Sequence, residues 1–339
     1  VSRKAVVVGA GALGLGFLAE RLAADYELCL ADVTANAELL SRIEAEQGFN
    51  LSMCGSDAIR TRRVAGSFTT TFTDDVGRDS FDRALAEADL VLTATHARVL
   101  DQVLSRIAPI LNRRQSKAWL LFCENGRHAA RYAGRFRGTA VLVDTVMSRM
   151  CRFADAGETG FRPLAPGAGS RLVVEEYNYL PLDAGLCAGR SFGPAFSLLP
   201  AAEFACWEDV KVYMHNGMHA FVAYRAYLKG VARFPDTPPW IRQEARRVMD
   251  EEVVEAIVRT HPAASRAALQ GYGAGLLDRF FNPYFNDSIE RGVRGVADKL
   301  APGERLQAGC DYIRRAGIEP RGYAGTIKAA REILARQER

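Results

Sequence analysis

KAVVVGAGALGLGF, residues 4–17, decides how the first half of this chain folds. Lys4–Val8 is a short apolar run of strand type. It enters glycines at positions 9, 11 and 14 and continues into an amphipathic helix ending near Asp25. A second strand, Glu27–Ala31, ends on Asp32, eighteen residues after Gly14. Strand, G-x-G-x-x-G, helix, strand and acid together open a dinucleotide-binding βαβ unit. Gly9 permits the tight turn, Gly11 lets the backbone approach a pyrophosphate, and Gly14 lets the helix pack closely on the strand. The helix start offers free N–H groups to the phosphates. Gly9, Ala10, Gly11, Ala12, Leu13 and Gly14 are therefore the expected phosphate-side residues. Asp32 is placed to accept hydrogen bonds from ribose hydroxyls and to repel a 2′-phosphate. Val33 and Thr34 follow it, with no Arg to receive that phosphate, so NAD is expected rather than NADP.

Further along, strands and helices alternate. A helix is expected over 34–47, then a strand-bearing excursion over 48–76 near the adenosine half of the site. Helices at 81–88 and 99–108, the latter stopped near Pro109, separate strands at 90–95, 119–123 and 140–143. This pattern gives a parallel, doubly wound α/β sheet of Rossmann type. Ligands of such sheets lie beyond the carboxyl ends of the strands, which places Thr95, His96, Asn125 and Asp144 near the rim. Residues 152–169 read as a loop or lid and 181–200 as loop, with a strand at 171–177 between them. From Ala201 the pattern is helical: 202–232, 238–260, 263–278, 286–299, 303–315 and 323–337. Prolines at 238, 239, 262, 283, 302 and 320 fall at segment ends, where proline is tolerated. The expected division is a dinucleotide-binding domain over 1–199 and an all-α substrate and catalytic domain over 200–339.

KVYMHNGMH, residues 211–219, is the polar cluster of the helical half. On a helix, Asn216 and His219 are neighbours on one face. Lys211 lies roughly two turns up, on the side nearer His219. An amine, an amide and an imidazole aimed at one place can move a proton and hold a carbonyl oxygen. A solvated lysine, a helix-interior asparagine and a packed histidine are the plain alternatives.

The bulk numbers narrow the class. The 339 residues are 48% hydrophobic, ample for two cores. The net charge of +4 comes mostly from scattered Arg, so no nucleic-acid partner is expected. No apolar run approaches the ~18 residues that span a bilayer, so no membrane partner is expected. Seven cysteines show no CxxC and no regular spacing, which reads as a cytoplasmic chain without disulfides.

The chain resembles the long-chain polyol dehydrogenases, the mannitol dehydrogenase superfamily. The resemblance rests on GAGALGLGF at 9–17, CEN at 123–125, VDTVMSR at 143–149 and VVEEY at 173–177. It continues through KVYMHNGMHAFVAY at 211–224 and RFFNPYFNDSIERGVRGVADKL at 279–300. It implies a Rossmann domain with a helical C-terminal domain, use of NAD or NADP, no metal, and a monomer or small homo-oligomer. The implied substrate is a small-molecule polyol or sugar phosphate. Lys211 matches the catalytic base, Asn216 and Asn125 match amides that hold the developing alkoxide, and His219 matches an orienting histidine. Arg291, Lys299 and Arg149 match residues on the substrate side. Leu15, Ser148, Arg152, Leu180 and Asp298 depart from the family pattern. A dehydrogenase for another sugar-like metabolite and a non-catalytic NAD-binding regulator are the other readings.

Overall fold

The computed structural model describes residues 3–187, 190, 192–301 and 304–337. Ala188, Gly189 and Ser191, in a stretch expected as loop, and Pro302 with Gly303, at an expected helix start, lie outside the described residues. The chain divides into two compact units, Val1–Pro200 and Ala201–Arg339.

The first unit is built on β1 (Arg3–Val8), β2 (Tyr26–Asp32), β5 (Phe68–Phe72), β6 (Leu90–Thr93), β7 (Ala118–Phe122) and β8 (Ala140–Asp144). They form one sheet in the order β5-β2-β1-β6-β7-β8, with every pairing parallel. Both faces are covered, which is why these strands read as nearly unbroken apolar runs. Val6 and Val8 pack with Phe81, Leu100 and Leu104 from the helices Arg78–Glu87 and Ala97–Leu111. Ala5 and Val7 pack on the opposite side with Leu15, Phe17 and Leu18 of the first helix.

That helix runs through a π turn, Gly14–Ala19, into Glu20–Leu22. The glycines ahead of it divide their work as the motif requires. Gly9 has φ +98°, and a Cβ there would fall 2.6 Å from the carbonyl oxygen of Ala94. A Cβ on Gly14 would fall 2.0 Å from the oxygen of Gly9, whereas one on Gly11 would meet nothing within 4 Å.

Several expectations need correction. Pro109 lies inside Ala97–Leu111 and does not stop it. A proline lacks its own donor and crowds the carbonyl four residues back, yet the turn continues past it, and Asn112 N–H still reaches the Ala108 carbonyl at 2.9 Å. The 48–76 stretch is more than an excursion, because β5 forms an edge of the main sheet. The rest of it, β3 (Gly48–Cys54) and β4 (Ile59–Ala65), joins β9 (Cys151–Phe153) and β10 (Leu172–Glu175) in a second sheet, ordered β4-β3-β10-β9. The expected lid at 152–169 contributes Leu164 and Ala165, both fully buried, to the core. Asn50 N–H holds the Leu164 carbonyl at 2.7 Å. The loop at 181–200 contains β11 (Pro181–Asp183) and β12 (Ser197–Leu199), a parallel pair. All seven cysteines are free thiols.

The second unit is helical. Ala201–Asp209, Val210–Asn216 and Gly217–Leu228 run on as one helix, and so do Pro239–Val248, Met249–Val254 and Glu255–Thr260. The middle segment of each is a π turn, and the two π turns pack on each other. Arg266–Phe280, Arg305–Arg315 and Arg321–Gln337 complete the long helices. Glu252, buried in the second π turn, accepts from the N–H groups of Gly322 (2.7 Å) and Tyr323 (2.9 Å). It thereby caps the start of the last helix, whose first N–H groups have no intrahelical partner. The single helix expected over 286–299 is two short ones, Ile289–Val293 and Val296–Lys299. Gly295, at φ +62°, breaks it. Among the described residues, no helix is long and apolar enough to cross a membrane.

The Gly14 contact generates a test. Gly14→Ala should cost about 1–3 kcal/mol in urea unfolding, as a backbone-to-Cβ overlap does. Gly11→Ala should unfold within a few tenths of wild type. Equal midpoints for wild type and Gly14→Ala would show that this approach does not control the packing.

Candidate functional site

A cavity of about 330 Å³ lies at the carboxyl ends of the first unit's strands. Gly9, Gly11, Asp32 and Thr95 line it, with an apolar wall that includes Val33, Phe81 and Val99. The first hydrogen bond of the helix runs from Leu15 N–H to the Gly11 carbonyl at 2.9 Å. The N–H groups of Ala12 and Leu13 therefore precede the intrahelical ladder. With the open side of Gly11 and the acid at the end of β2, these residues fit the phosphates and ribose of a dinucleotide.

Beyond β6 and β7, a buried carboxylate, Glu124, and a partly buried one, Asp144, organise the rim. Glu124 accepts from Thr95 N–H (2.8 Å), Thr95 Oγ1 (3.0 Å) and Thr93 Oγ1 (2.8 Å). Asp144 accepts from the N–H groups of His128 (2.8 Å) and Ala129 (3.1 Å). Burial pushes the Asp144 carboxyl up from its ordinary value, against these hydrogen bonds. Asn125 sits between the two anchors with an exposed side chain, its carbonyl 3.2 Å from His128 Nε2. Sequence reasoning gave Glu124 no role, because an acid bonded to threonines at and just beyond the end of another strand leaves no periodic signal.

Arg149 is a correction. It was expected on the substrate side, but its guanidinium is 1% exposed and lies in the core of the first unit. Nη1 donates to Glu20 at 2.8 Å, Nε donates to the Glu175 carbonyl at 2.7 Å, and the group lies over the Phe17 ring. Leu15, Ser148, Arg152 and Leu180 are likewise buried.

In the second unit the π turn Val210–Asn216 carries Lys211 and Asn216. An α-helix would set residues five apart roughly 140° apart around its axis. A π turn closes on residue i+5 and brings such a pair toward one stripe. His219 follows one turn later, in Gly217–Leu228. The spacing that looks awkward on an α-helix is thus the spacing of a π turn. Gly217 belongs to the same arrangement: a Cβ there would fall 2.1 Å from the hydroxyl of the buried Tyr323.

His219 is held on several sides. Its ring stacks on Phe234 at 4.5 Å and meets Phe280 edge-on at 5.1 Å. Its Nε2 stands 3.5 Å from Oδ2 of Asp287. Asp287 is 1% exposed and is gripped by Arg291, through Nε at 2.7 Å and Nη2 at 2.5 Å. Burial alone would raise the Asp287 carboxyl, but His219 and Arg291 hold it well below the usual carboxylate range. Lys299 Nζ donates to the Gly292 carbonyl at 2.8 Å. Burial, with Arg305 and Arg291 nearby, lowers its pKa to about 8. The structure thus brings together His219, Arg291 and Lys299, and adds Asp287, which the sequence reading missed. In sequence Asp287 is one acid in a polar run, and only the fold shows that it is buried.

Comparisons with known proteins follow this division. The mannitol dehydrogenase Rossmann domain model matches residues 3–141, and the mannitol dehydrogenase C-terminal domain model matches residues 203–320. The chain is similar to mannitol-1-phosphate 5-dehydrogenase of Shouchella clausii (strain KSM-K16), with 26% identity over 98% of this chain and 89% of the relative. It is equally similar, at 26%, to the enzyme of that name from Arthrobacter sp. (strain FB24), over 96% and 85%. Among solved structures, it is similar in fold to Pseudomonas fluorescens mannitol 2-dehydrogenase in ternary complex with NAD and D-mannitol. That match has TM-score 0.76 and 15% identity, over 97% of this chain and 78% of the other. A D-sorbitol dehydrogenase in substrate-free form matches with TM-score 0.75 and 15% identity, over 98% and 81%.

The imidazoles of this unit make its stability depend on pH. Burial lowers His219, against the pull of Asp287, and lowers His215 well below its ordinary value, with the Lys211 charge adding to the effect. The unfolded chain then binds protons near pH 6.5 that the folded chain refuses. Stability is full above that pH and falls as the pH drops below it. The melting temperature should decline from pH 7.5 to pH 5, and His215→Gln should flatten the decline. A profile that is level or rises toward acid would contradict this account.

Proposed function

The chain belongs to the mannitol dehydrogenase family, and from that membership we propose that it moves hydride between a nicotinamide cofactor and a secondary alcohol of a polyol or polyol phosphate. It is an oxidoreductase of the polyol dehydrogenase class. The observation that carries the mechanism is the π turn bearing Lys211 and Asn216 one turn before His219. Lys211 takes the hydroxyl proton during oxidation and returns it during reduction. Asn216 donates a hydrogen bond to the oxygen as charge develops on it, and Asn125 takes the part of a further amide donor. His219, with Nε2 turned to Asp287, keeps its ring orientation through the reaction. Arg291 and Lys299 attract the remaining oxygens of the substrate. The cofactor supplies the hydride acceptor or donor. It is proposed to be NAD, held by Gly9–Gly14, Asp32 and Thr95 of the first unit. The relatives named as mannitol-1-phosphate 5-dehydrogenases make mannitol 1-phosphate and fructose 6-phosphate the first substrate pair to test.

A spectrophotometric panel tests this reading. NAD or NADP is offered with free and phosphorylated hexitols, and NADH with the matching ketoses. At least one pair should turn over, and Lys211→Ala should lower kcat by about 10²- to 10⁴-fold. NADH binding should stay within twofold in that variant. A Lys211→Ala enzyme as fast as wild type would remove the lysine from the mechanism.

A further inference from the structure

Asp32 lines the end of the first unit's cavity where β2 emerges, and a second carboxylate, Asp74, is bonded to the backbone just beyond it. Asp32 Oδ1 accepts the N–H of Val33 at 2.8 Å. Asp74, on the connection after β5, places its Oδ2 2.8 Å from the next N–H, that of Thr34. The two backbone donors that follow β2 are therefore both occupied by acids of the chain itself. Hydrogen bonds from Thr34, side chain and then backbone, lower the Asp74 carboxyl from its ordinary value, so it stays ionised at neutral pH. Its Oδ1 is buried with no hydrogen-bond partner. Among the described residues no ion pair neutralises it.

Arg106 lines the same cavity and is the residue that could have reversed this field. Its Nη1 is committed to the main chain, and its buried Nη2 makes no hydrogen bond. Nη1 donates to the carbonyls of Thr73 and, at 3.1 Å, Asp74. Nη2 lies 3.8 Å from Oδ1 of Asp82. The guanidinium braces the loop that presents Asp74.

We propose that Asp74, bonded to the backbone beside the cofactor cavity, is a second specificity-determining residue, acting with Asp32 to exclude a dinucleotide that carries a 2′-phosphate. The inference rests on reading this cavity as the dinucleotide site. A 2′-phosphate brings about two negative charges. Here it meets the Asp32 carboxylate on the lining and the charge of Asp74 behind the Thr34 N–H, and the N–H groups that might have held its oxygens are already used. Adenosine with a free 2′-hydroxyl brings no such charge and supplies a donor to Asp32.

The test is a pair of fluorescence titrations, NADH and NADPH, on full-length wild type, Asp74→Asn, Asp32→Asn and the double variant. Asparagine keeps an oxygen for the Thr34 N–H and removes only the charge. Wild type should hold NADH at least about tenfold more tightly than NADPH. Asp74→Asn should tighten NADPH by about three- to tenfold, with NADH changed less than twofold, and the double variant should gain more than either single one. Asp74→Asn with the wild-type ratio, or with both nucleotides weakened equally, would reduce Asp74 to a structural residue and overturn the proposal. So would a wild type that holds the two nucleotides equally. The titration needs no polyol. A ratio shifted by Asp74→Asn in a chain that oxidises no polyol would uphold this inference and sink only the reaction. Failure of wild type to bind either nucleotide would sink both.

Discussion

The first unit depends on how closely three pieces of backbone meet at Gly9. Its N–H holds the Ala31 carbonyl at 2.8 Å, which fixes the end of β2 and so Asp32. On another side Ala94 N–H holds the Val8 carbonyl at 2.8 Å, leaving no room for a Cβ on Gly9. Above it, the first helix can descend only because Gly14 also lacks a Cβ. The three walls of the cavity are thus set by a single crossing of main chain. A bulkier turn would displace all three walls at once.

Much of this was legible because it is local. Gly9, Gly11, Gly14 and Asp32 sit within one βαβ unit, and their spacing states their geometry. The buried parallel strands announced themselves as apolar runs for the same reason. What stayed hidden depends on distant residues. Glu124 is explained by Thr93 and Thr95, Asp287 by His219, and Arg149 by Glu20, 129 residues away. A guanidinium in the core and one at a binding site look alike until its partners are known. Pro109 and the break at Gly295 mark the limit of local rules in the other direction. Proline was read as a stop where the helix tolerates it, and the glycine that ends a helix was passed over.

In the second unit, charge is arranged around an imidazole that stays neutral. Burial disfavours His219⁺, and the ionised Asp287 that would favour it is already shared with Arg291. The histidine can therefore direct Nε2 toward a carboxylate without becoming a permanent cation. Positive charge close to the ring is carried by Arg291 and Lys299. Lys299, with its pKa near 8, carries that charge less firmly than an exposed lysine does. The aromatic walls of Phe234 and Phe280 keep the ring from rotating away from this arrangement.

The π turn at Val210–Asn216 makes helix winding, and not residue identity alone, decide where these side chains point. Were the segment to wind as ordinary α-helix at unchanged length, Lys211, Asn216 and His219 would all still be present. Lys211 would nevertheless be rotated by roughly 100° against everything after Asn216. The extra residue of the π turn is what keeps the two halves of the helix in phase, and with them Gly217 against Tyr323. Along this helix the winding therefore matters as much as the side chains, because its loss changes no chemistry yet sends the amine and the imidazole in different directions.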